Sequence, residues 1–170
     1  MDAIAVQPFE TPFGELLLGA YRDRLCLCNW TRRKMRGRTN VRIQHGLQAR
    51  YEEREDALLN TARSQLNEYF QGRRKAFELP LLLVGTAFQK SVWNALRQIP
   101  HGQTRSYAQL AQQIDNPAAV RAVGSANGAN ALSIIVPCHR VIGADGRLAG
   151  YAGGEDIKRQ LLDLEQDLCP

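Results

Sequence analysis

A cysteine followed directly by a histidine, Cys138-His139, closes an apolar stretch that runs from Asn130 to Pro137. Those two residue types side by side can do nucleophilic chemistry. Cysteine reacts as its thiolate, and an unperturbed thiol with a pKa of ~8.5 supplies little of it at neutral pH. An imidazole backed by a carboxylate can take the proton. Adjacent residues on a straight strand point to opposite faces. His139 therefore reaches Cys138 only if the chain bends there or a water intervenes, and Pro137 favours an irregular backbone. The candidate carboxylate is Glu165. On a helix expected over residues 155–168, Ile157, Leu161, Leu164 and Leu168 share one stripe, Leu162 widens it, and Glu165 lies inside it. Lys158 lies beside Glu165 two turns earlier. A carboxylate on the core side needs partners, because an unpaired buried charge is costly. Two assignments stay open: an ion pair with Lys158 or a neighbouring arginine, or a carboxylate that orients His139.

The elements that must position these residues change character at Gly85. Upstream, residues 4–6, 15–21 and 25–30 read as strands, with a hairpin turn at Arg22-Asp23-Arg24. Cys26 and Cys28 share one strand face, where small buried hydrophobes are the simpler reading and metal chelation with His45 and Cys169 the alternative. Residues 52–71 carry Leu58, Ala62, Leu66 and Tyr69 at helical spacing. Residues 77–84 read as an apolar strand or linker interrupted by Pro80. Downstream, Thr86 with Gln89 and Ser106 with Gln109 are capping-box signatures, each opening a helix. Asp115-Asn116-Pro117 reads as a tight turn, with Asn116 capping a third helix over residues 118–127. Two short helices joined by a compact turn make a helix-turn-helix candidate.

The third helix has unusual sides. Val120 and Val123 mark an inner face, while the outer face carries Arg121, Gly124, Ser125 and Gly128. Small residues there either permit close packing on another helix or let the backbone approach a ligand, with Arg121 as the one long probe. A major-groove reader would present several base-reading side chains; their scarcity favours minor-groove approach.

The 170 residues, 44% of them hydrophobic, are enough for a substantial core and rule out wholesale disorder. Four cysteines are too few for a disulfide scaffold. The opening Met1-Asp2-Ala3-Ile4 lacks the basic and apolar regions of a secretory signal, and no run is long enough to span a bilayer. A reducing, cytoplasmic setting is the expectation. The net charge is +5. Residues 1–85 hold 14 basic against 10 acidic residues, and the remainder 8 against 7. Most of the excess lies in one run, Arg32, Arg33, Lys34, Arg36, Arg38 and Arg42, with no acid between them. It reads either as a solvated, mobile loop or as an accessory phosphate-contacting arm.

Pro137-Cys138-His139-Arg140-Val141 resembles the active-site signature of the O6-alkylguanine-DNA alkyltransferases, the methylated-DNA–protein-cysteine methyltransferases. The resemblance continues in order through Ser106-Tyr107, the helix with Arg121, Asn130, Gly150-Tyr151-Ala152-Gly153-Gly154, and Leu161-Leu162 followed by Glu165. Thr11-Pro12-Phe13-Gly14 and Leu66-Asn67-Glu68-Tyr69-Phe70 extend it loosely upstream. The Arg32 to Arg42 segment has no counterpart in the family, and the zinc ligands of some animal members have no clear match.

The resemblance implies an α+β chain. A ribonuclease-like α/β domain over residues 1–85 would give structural support, and a winged-helix-like, helix-turn-helix domain over residues 86–170 would bind DNA and accept the alkyl group. It implies direct-reversal repair with no cofactor and no metal. Cys138 would take an alkyl group irreversibly from O6 of guanine, and from O4 of thymine, in double-stranded DNA bound through the minor groove. His139 would relay the proton through water, Glu165 would orient it, and Asn130 would brace the turn. Tyr107, Val141, Tyr151, Ala152 and Lys158 would surround the flipped base, with the carbonyls of Cys138 and Val141 taking its exocyclic amine. Arg121 would fill the vacated stack, with Ser106, Ala118, Gly124, Ser125, Asn127 and Gly128 against the DNA. A monomer, cytoplasmic or nucleoid-associated and away from membranes, is implied. Three rivals remain from the residues alone: a lesion-binding module, a helix-turn-helix transcription factor, and a Cys-His hydrolase that turns over.

Overall fold

Three strands over the first thirty residues open the first of two units, Met1–Gly85 and Thr86–Pro170, in the computed structural model, which describes residues 2–33, 36–148 and 150–166. Strands β1 (Asp2–Thr11), β2 (Gly14–Tyr21) and β3 (Arg24–Trp30) form an antiparallel meander. Arg22 and Asp23 both take positive φ, 48° and 62°, in the two-residue turn that matches strand twist. Helix α1 (Arg36–Leu47) leads to β4 (Ala49–Glu53), which pairs parallel with β1 and completes the order β3-β2-β1-β4. Six consecutive residues of β3, 25–30, are buried, so the strand is covered on both faces, and all but Asn29 are apolar. Cys26 and Cys28 lie within it, and burial pushes the Cys26 thiol up to about 12. Cys169, the distant partner weighed for a metal, lies outside the described residues.

Two expectations change in this unit, and the third, a strand or linker over residues 77–84, resolves as a linker. The basic run is not a loop throughout: from Arg36 it is helix, anchored inward by Thr39 and Ile43 four residues apart, and Arg33 is buried with its guanidinium on Asn29 Oδ1 at 2.8 Å. The helix expected from residue 52 begins only at α2 (Ala57–Phe70), because residues 49–53 extend the sheet and Asp56 caps the helix by accepting from the Leu58 and Leu59 N–H groups. Its inner stripe consequently runs through Leu59, Ala62, Leu66 and Tyr69, and Leu58 is only half-buried. Residues 77–84 form an extended linker with a single bridge between Leu25 and Leu81.

The second unit opens with α3 (Ala87–Leu96). A short strand β5 (Arg105–Ser106) then leads directly into α4 (Tyr107–Gln113). Both capping boxes form as read, at Thr86/Gln89 and Ser106/Gln109. Helix α5 (Val120–Gly128) starts two residues later than expected. Asn116 does not cap it. Its carbonyl instead accepts from the Ala119 N–H in the preceding turn, and the start at Ala119 has no side-chain cap. Val120 is consequently exposed, and the inner face is Val123, Ala126 and Asn127.

The expected strand before Pro137 is a series of turns, because Asn130 satisfies its backbone in place of a neighbouring strand. A single 3₁₀ turn at Cys138–Arg140 follows, then β6 (Val141–Ile142) and α6 (Glu155–Glu165). Leu168, expected at the end of α6, lies outside the described residues. No helix among the described residues is long and apolar enough to cross a membrane.

Candidate active site

The two-residue parallel pairing of β5 with β6 fixes the site's geometry. It matches Arg105 to Val141 and Ser106 to Ile142. The residue after β5 is Tyr107, and the residues before β6 are Cys138, His139 and Arg140. One short ladder thereby sets the start of α4 against the turn that carries Cys138. The 3₁₀ turn gives the irregular backbone that Pro137 favoured, and Cys138, His139 and Arg140 are all buried.

Asn130 holds the approach to this turn. Its Nδ2 donates to the Val136 carbonyl at 2.8 Å, and its Oδ1 accepts from the Leu132 N–H at 3.0 Å. Between them Ile134 sits at φ 73°, a conformation that costs a β-branched residue on the order of 1–3 kcal/mol and persists only where neighbours enforce it. Trp93 Nε1 on α3 donates to the Ala126 carbonyl at 2.8 Å, tying α5 in place.

Glu165 is the centre of the buried polar network. His139 Nε2 lies 2.6 Å from one carboxylate oxygen, which also accepts from an Arg140 terminal nitrogen at 3.0 Å; Arg140 Nε reaches the other oxygen at 2.7 Å. The third Arg140 nitrogen donates to the Ile99 carbonyl at 2.7 Å. Burial alone raises the Glu165 carboxyl, but His139 and Arg140 outweigh it and hold the group well below the usual carboxylate range. Burial, opposed by Glu165, pushes His139 below its ordinary value, so the ring is neutral. With Nε2–H donating to an ionised Glu165, the lone pair sits on Nδ1, which is buried and has no hydrogen-bond partner among the described residues. Such a nitrogen can receive a thiol proton.

Both alternatives weighed for Glu165 thus hold together: it pairs with an arginine and orients His139. The arginine is Arg140, which sequence reasoning did not place in the site. Its signal was adjacency to His139, usable only once a 3₁₀ turn puts both side chains on one carboxylate. Lys158 is not the partner. It is fully buried, and its Nζ makes no hydrogen bond among the described residues. Burial pulls its ammonium down, while charge coupling to Cys138 and Glu155 works the other way.

The remaining expected residues fall in several places. Burial pushes the Tyr107 phenol up, with Cys138 adding to the effect, so it remains a hydrogen-bond donor. Its hydroxyl lies 3.4 Å from where a Cβ on Gly150 would project, an ordinary contact, and it is the φ of +89° that favours glycine there. Val141 and Tyr151 are buried and Ala152 half-buried. The Cys138 carbonyl, expected to accept from a base, already accepts from the Val141 N–H and from Asn127 Nδ2 at 3.3 Å. Asn127, expected against DNA, is turned inward by that bond and is buried. Arg121, Ser125 and Ala118 are exposed; Ser106, Gly124 and Gly128 are half-buried. A Cβ at Gly128 would meet no atom within 4 Å, so packing does not explain its small size.

A family model described as 6-O-methylguanine DNA methyltransferase, DNA binding domain, matches residues 87–167, and one described as its ribonuclease-like domain matches residues 6–83. The chain belongs to the 6-O-methylguanine DNA methyltransferase family. The methylated-DNA–protein-cysteine methyltransferase of Methanosarcina acetivorans is 47% identical over 157 residues, spanning 92% of this chain and 95% of that protein. The constitutive enzyme of Bacillus subtilis is likewise 47% identical, over 92% of each chain. The fold is similar to the crystal structure of Mycobacterium tuberculosis OGT in complex with DNA, with a TM-score of 0.81 at 40% identity, covering 99% of this chain and 95% of that one. The α+β architecture of this methyltransferase family, a ribonuclease-like domain followed by a DNA-binding domain, is thereby the architecture of this chain.

Proposed function

We propose that this protein repairs alkylated DNA by direct reversal, with Cys138 as the acceptor of one alkyl group from O6 of guanine. The observation that carries this reading is the buried His139–Glu165–Arg140 network, which leaves Nδ1 of the residue next to Cys138 in the chain without a hydrogen-bond partner among the described residues. The Cys138 proton passes to Nδ1 through a water, and the thiolate attacks the alkyl carbon. A sulfur–carbon bond forms as the carbon–O6 bond breaks, and its electron pair leaves with guanine. The base is stabilised by the Tyr107 phenol and takes up the proton, so the thiol proton ends on guanine. No cofactor is required by this balance. The thioether has no route back, which makes the protein a single-use reagent.

The target atom lies inside the duplex, so the base must leave the stack at a cost of a few kcal/mol. Val141, Tyr151, Ala152 and Lys158 would surround the extruded base. Arg121, Ser125, Gly124 and Gly128 share one face of α5, where Arg121 occupies the gap and the small residues let the helix approach the minor groove. Ser106 and Ala118 flank that face. The protein acts as a monomer on lesion-bearing duplex, in the cytoplasmic compartment that holds the DNA, and O4-alkylthymine is a second substrate of the same geometry.

Turnover counting tests this reading. With a several-fold excess of O6-methylguanine duplex, repair should plateau at one lesion per protein molecule. Continued turnover would establish the rival Cys-His hydrolase instead.

A further inference from the structure

We propose that the arginine-rich surface carried by α1 and the turn before it is a second contact for the DNA backbone, separate in the chain from the helix-turn-helix. The inference rests on the repair reading above. Between residues 32 and 50 there are seven basic residues and no acid, whereas the rest of residues 1–85 holds seven basic and ten acidic. The positive charge of this unit is therefore segregated into one segment of the chain.

The segment is also placed against the fold's own electrostatics. A helix N-terminus carries partial positive charge and is stabilised by anions. Here Arg36 and Arg38 occupy the first turn of α1, which has no acidic residue, and Arg32 precedes it. Arg32, Arg36, Arg38 and Arg50 are exposed, and none of them forms a salt bridge among the described residues. The fold needs other residues of the segment for itself: Thr39 and Ile43 anchor the helix, and Arg33 is buried on Asn29. Like charges held together without counter-charges repel one another, and a polyanion removes that repulsion.

The spread of the exposed arginines selects the polyanion. Arg36 and Arg38 project from different sides of the first turn of α1, with Arg32 just before it and Arg50 beyond its end. An isolated phosphate would need a cradle, and the exposed arginines form none. Spread cations suit duplex backbone, without sequence preference; Arg36 also donates to the Thr31 carbonyl, which ties the helix start to the preceding turn.

The test is the salt dependence of binding to undamaged duplex, read by fluorescence anisotropy, for the wild type and for Arg32→Gln/Arg36→Gln/Arg38→Gln. The log–log slope should become shallower by about 2 to 3, since each neutralised phosphate contributes ~0.9. The Arg→Lys triple variant should retain the slope. Alkyl acceptance from the free base O6-methylguanine, which needs no backbone contact, should be unchanged and reports folding. Arg38→Gln alone, should the triple variant misfold, should still lower the slope by nearly 1. An unchanged slope in a folded variant overturns the proposal and leaves a solvated helix. A wild type that binds no DNA at all would overturn the repair reading as well.

Discussion

Replacing Glu165 by alanine should be among the most damaging single changes in the second unit. The carboxylate is buried and takes contacts from His139 at 2.6 Å and from Arg140 at 2.7 and 3.0 Å. Without it the Arg140 guanidinium, itself buried, keeps only the Ile99 carbonyl among the described residues. Breaking a buried ion pair by removing one partner costs about 3–5 kcal/mol, because the surviving charge is uncompensated. For a domain of this size that is a fall in Tm of roughly 12 to 40 °C. Replacing both partners, as in Arg140→Met/Glu165→Leu, removes the stranded charge. It should recover most of the loss, short of about 1–3 kcal/mol for the Ile99 carbonyl left without a donor.

Urea unfolding of the wild type, the two single variants and the double variant measures the coupling, and free-base alkylation of each folded protein measures the chemistry. The double variant should be stable yet slow, since His139 has lost the carboxylate that fixes its tautomer. A pH series adds a sign. His139 and Arg140 hold Glu165 below its unfolded value of ~4.3. Its contribution is therefore complete above that pH and is lost as pH falls toward the native value. Glu165→Gln should flatten that acid limb. A loss below about 1 kcal/mol in Glu165→Ala, or wild-type alkylation by the double variant, would refute the reasoning.

Arg121→Ala should slow repair of duplex by about 1–3 kcal/mol, roughly 5- to 160-fold, and leave the free-base reaction nearly untouched; equal losses on both substrates would remove Arg121 from base extrusion. Lys158→Met should raise the unfolding free energy by about 1 kcal/mol or more at neutral pH by removing a buried ammonium, while slowing alkyl acceptance. That gain shrinks as pH rises toward 10.5, where the unfolded lysine also loses its proton; a loss of stability would contradict the burial argument. Burial keeps His139 neutral below its ordinary 6.5, so free-base alkylation should persist through pH 6.5 and decline only on further acidification. A midpoint at or above 6.5 would show the imidazole is not held neutral.

Local signals survived into the structure where local physics decides the outcome. Thr86/Gln89 and Ser106/Gln109 satisfy orphan N–H groups within three residues, whatever surrounds them. Glu165 was legible as an inward carboxylate because helical spacing puts it on the stripe of Leu161. Arg140 was not legible, because its role depends on a 3₁₀ turn that no periodicity announces. Residues 130–136 read as a strand from their apolar character, yet Asn130 supplies the bonds that a neighbouring strand would have supplied. Strand β4, with Ala49 its one buried residue, has too little alternation to announce itself. Helix α1 was hidden by arginines at the end where a helix prefers acids. Asn127 was placed against the DNA by the family resemblance, and only the Cys138 carbonyl shows why it turns inward.

The central claim is that one particular sulfur receives the alkyl group. Incubation with duplex carrying O6-methylguanine labelled with deuterium in the methyl group, followed by peptide mass mapping, reads this directly. One labelled methyl should appear on Cys138, none on the buried Cys26 or Cys28 or on Cys169, and none anywhere in Cys138→Ser, which should still bind the duplex. Label on any other cysteine, or repaired DNA from Cys138→Ser, would contradict the account.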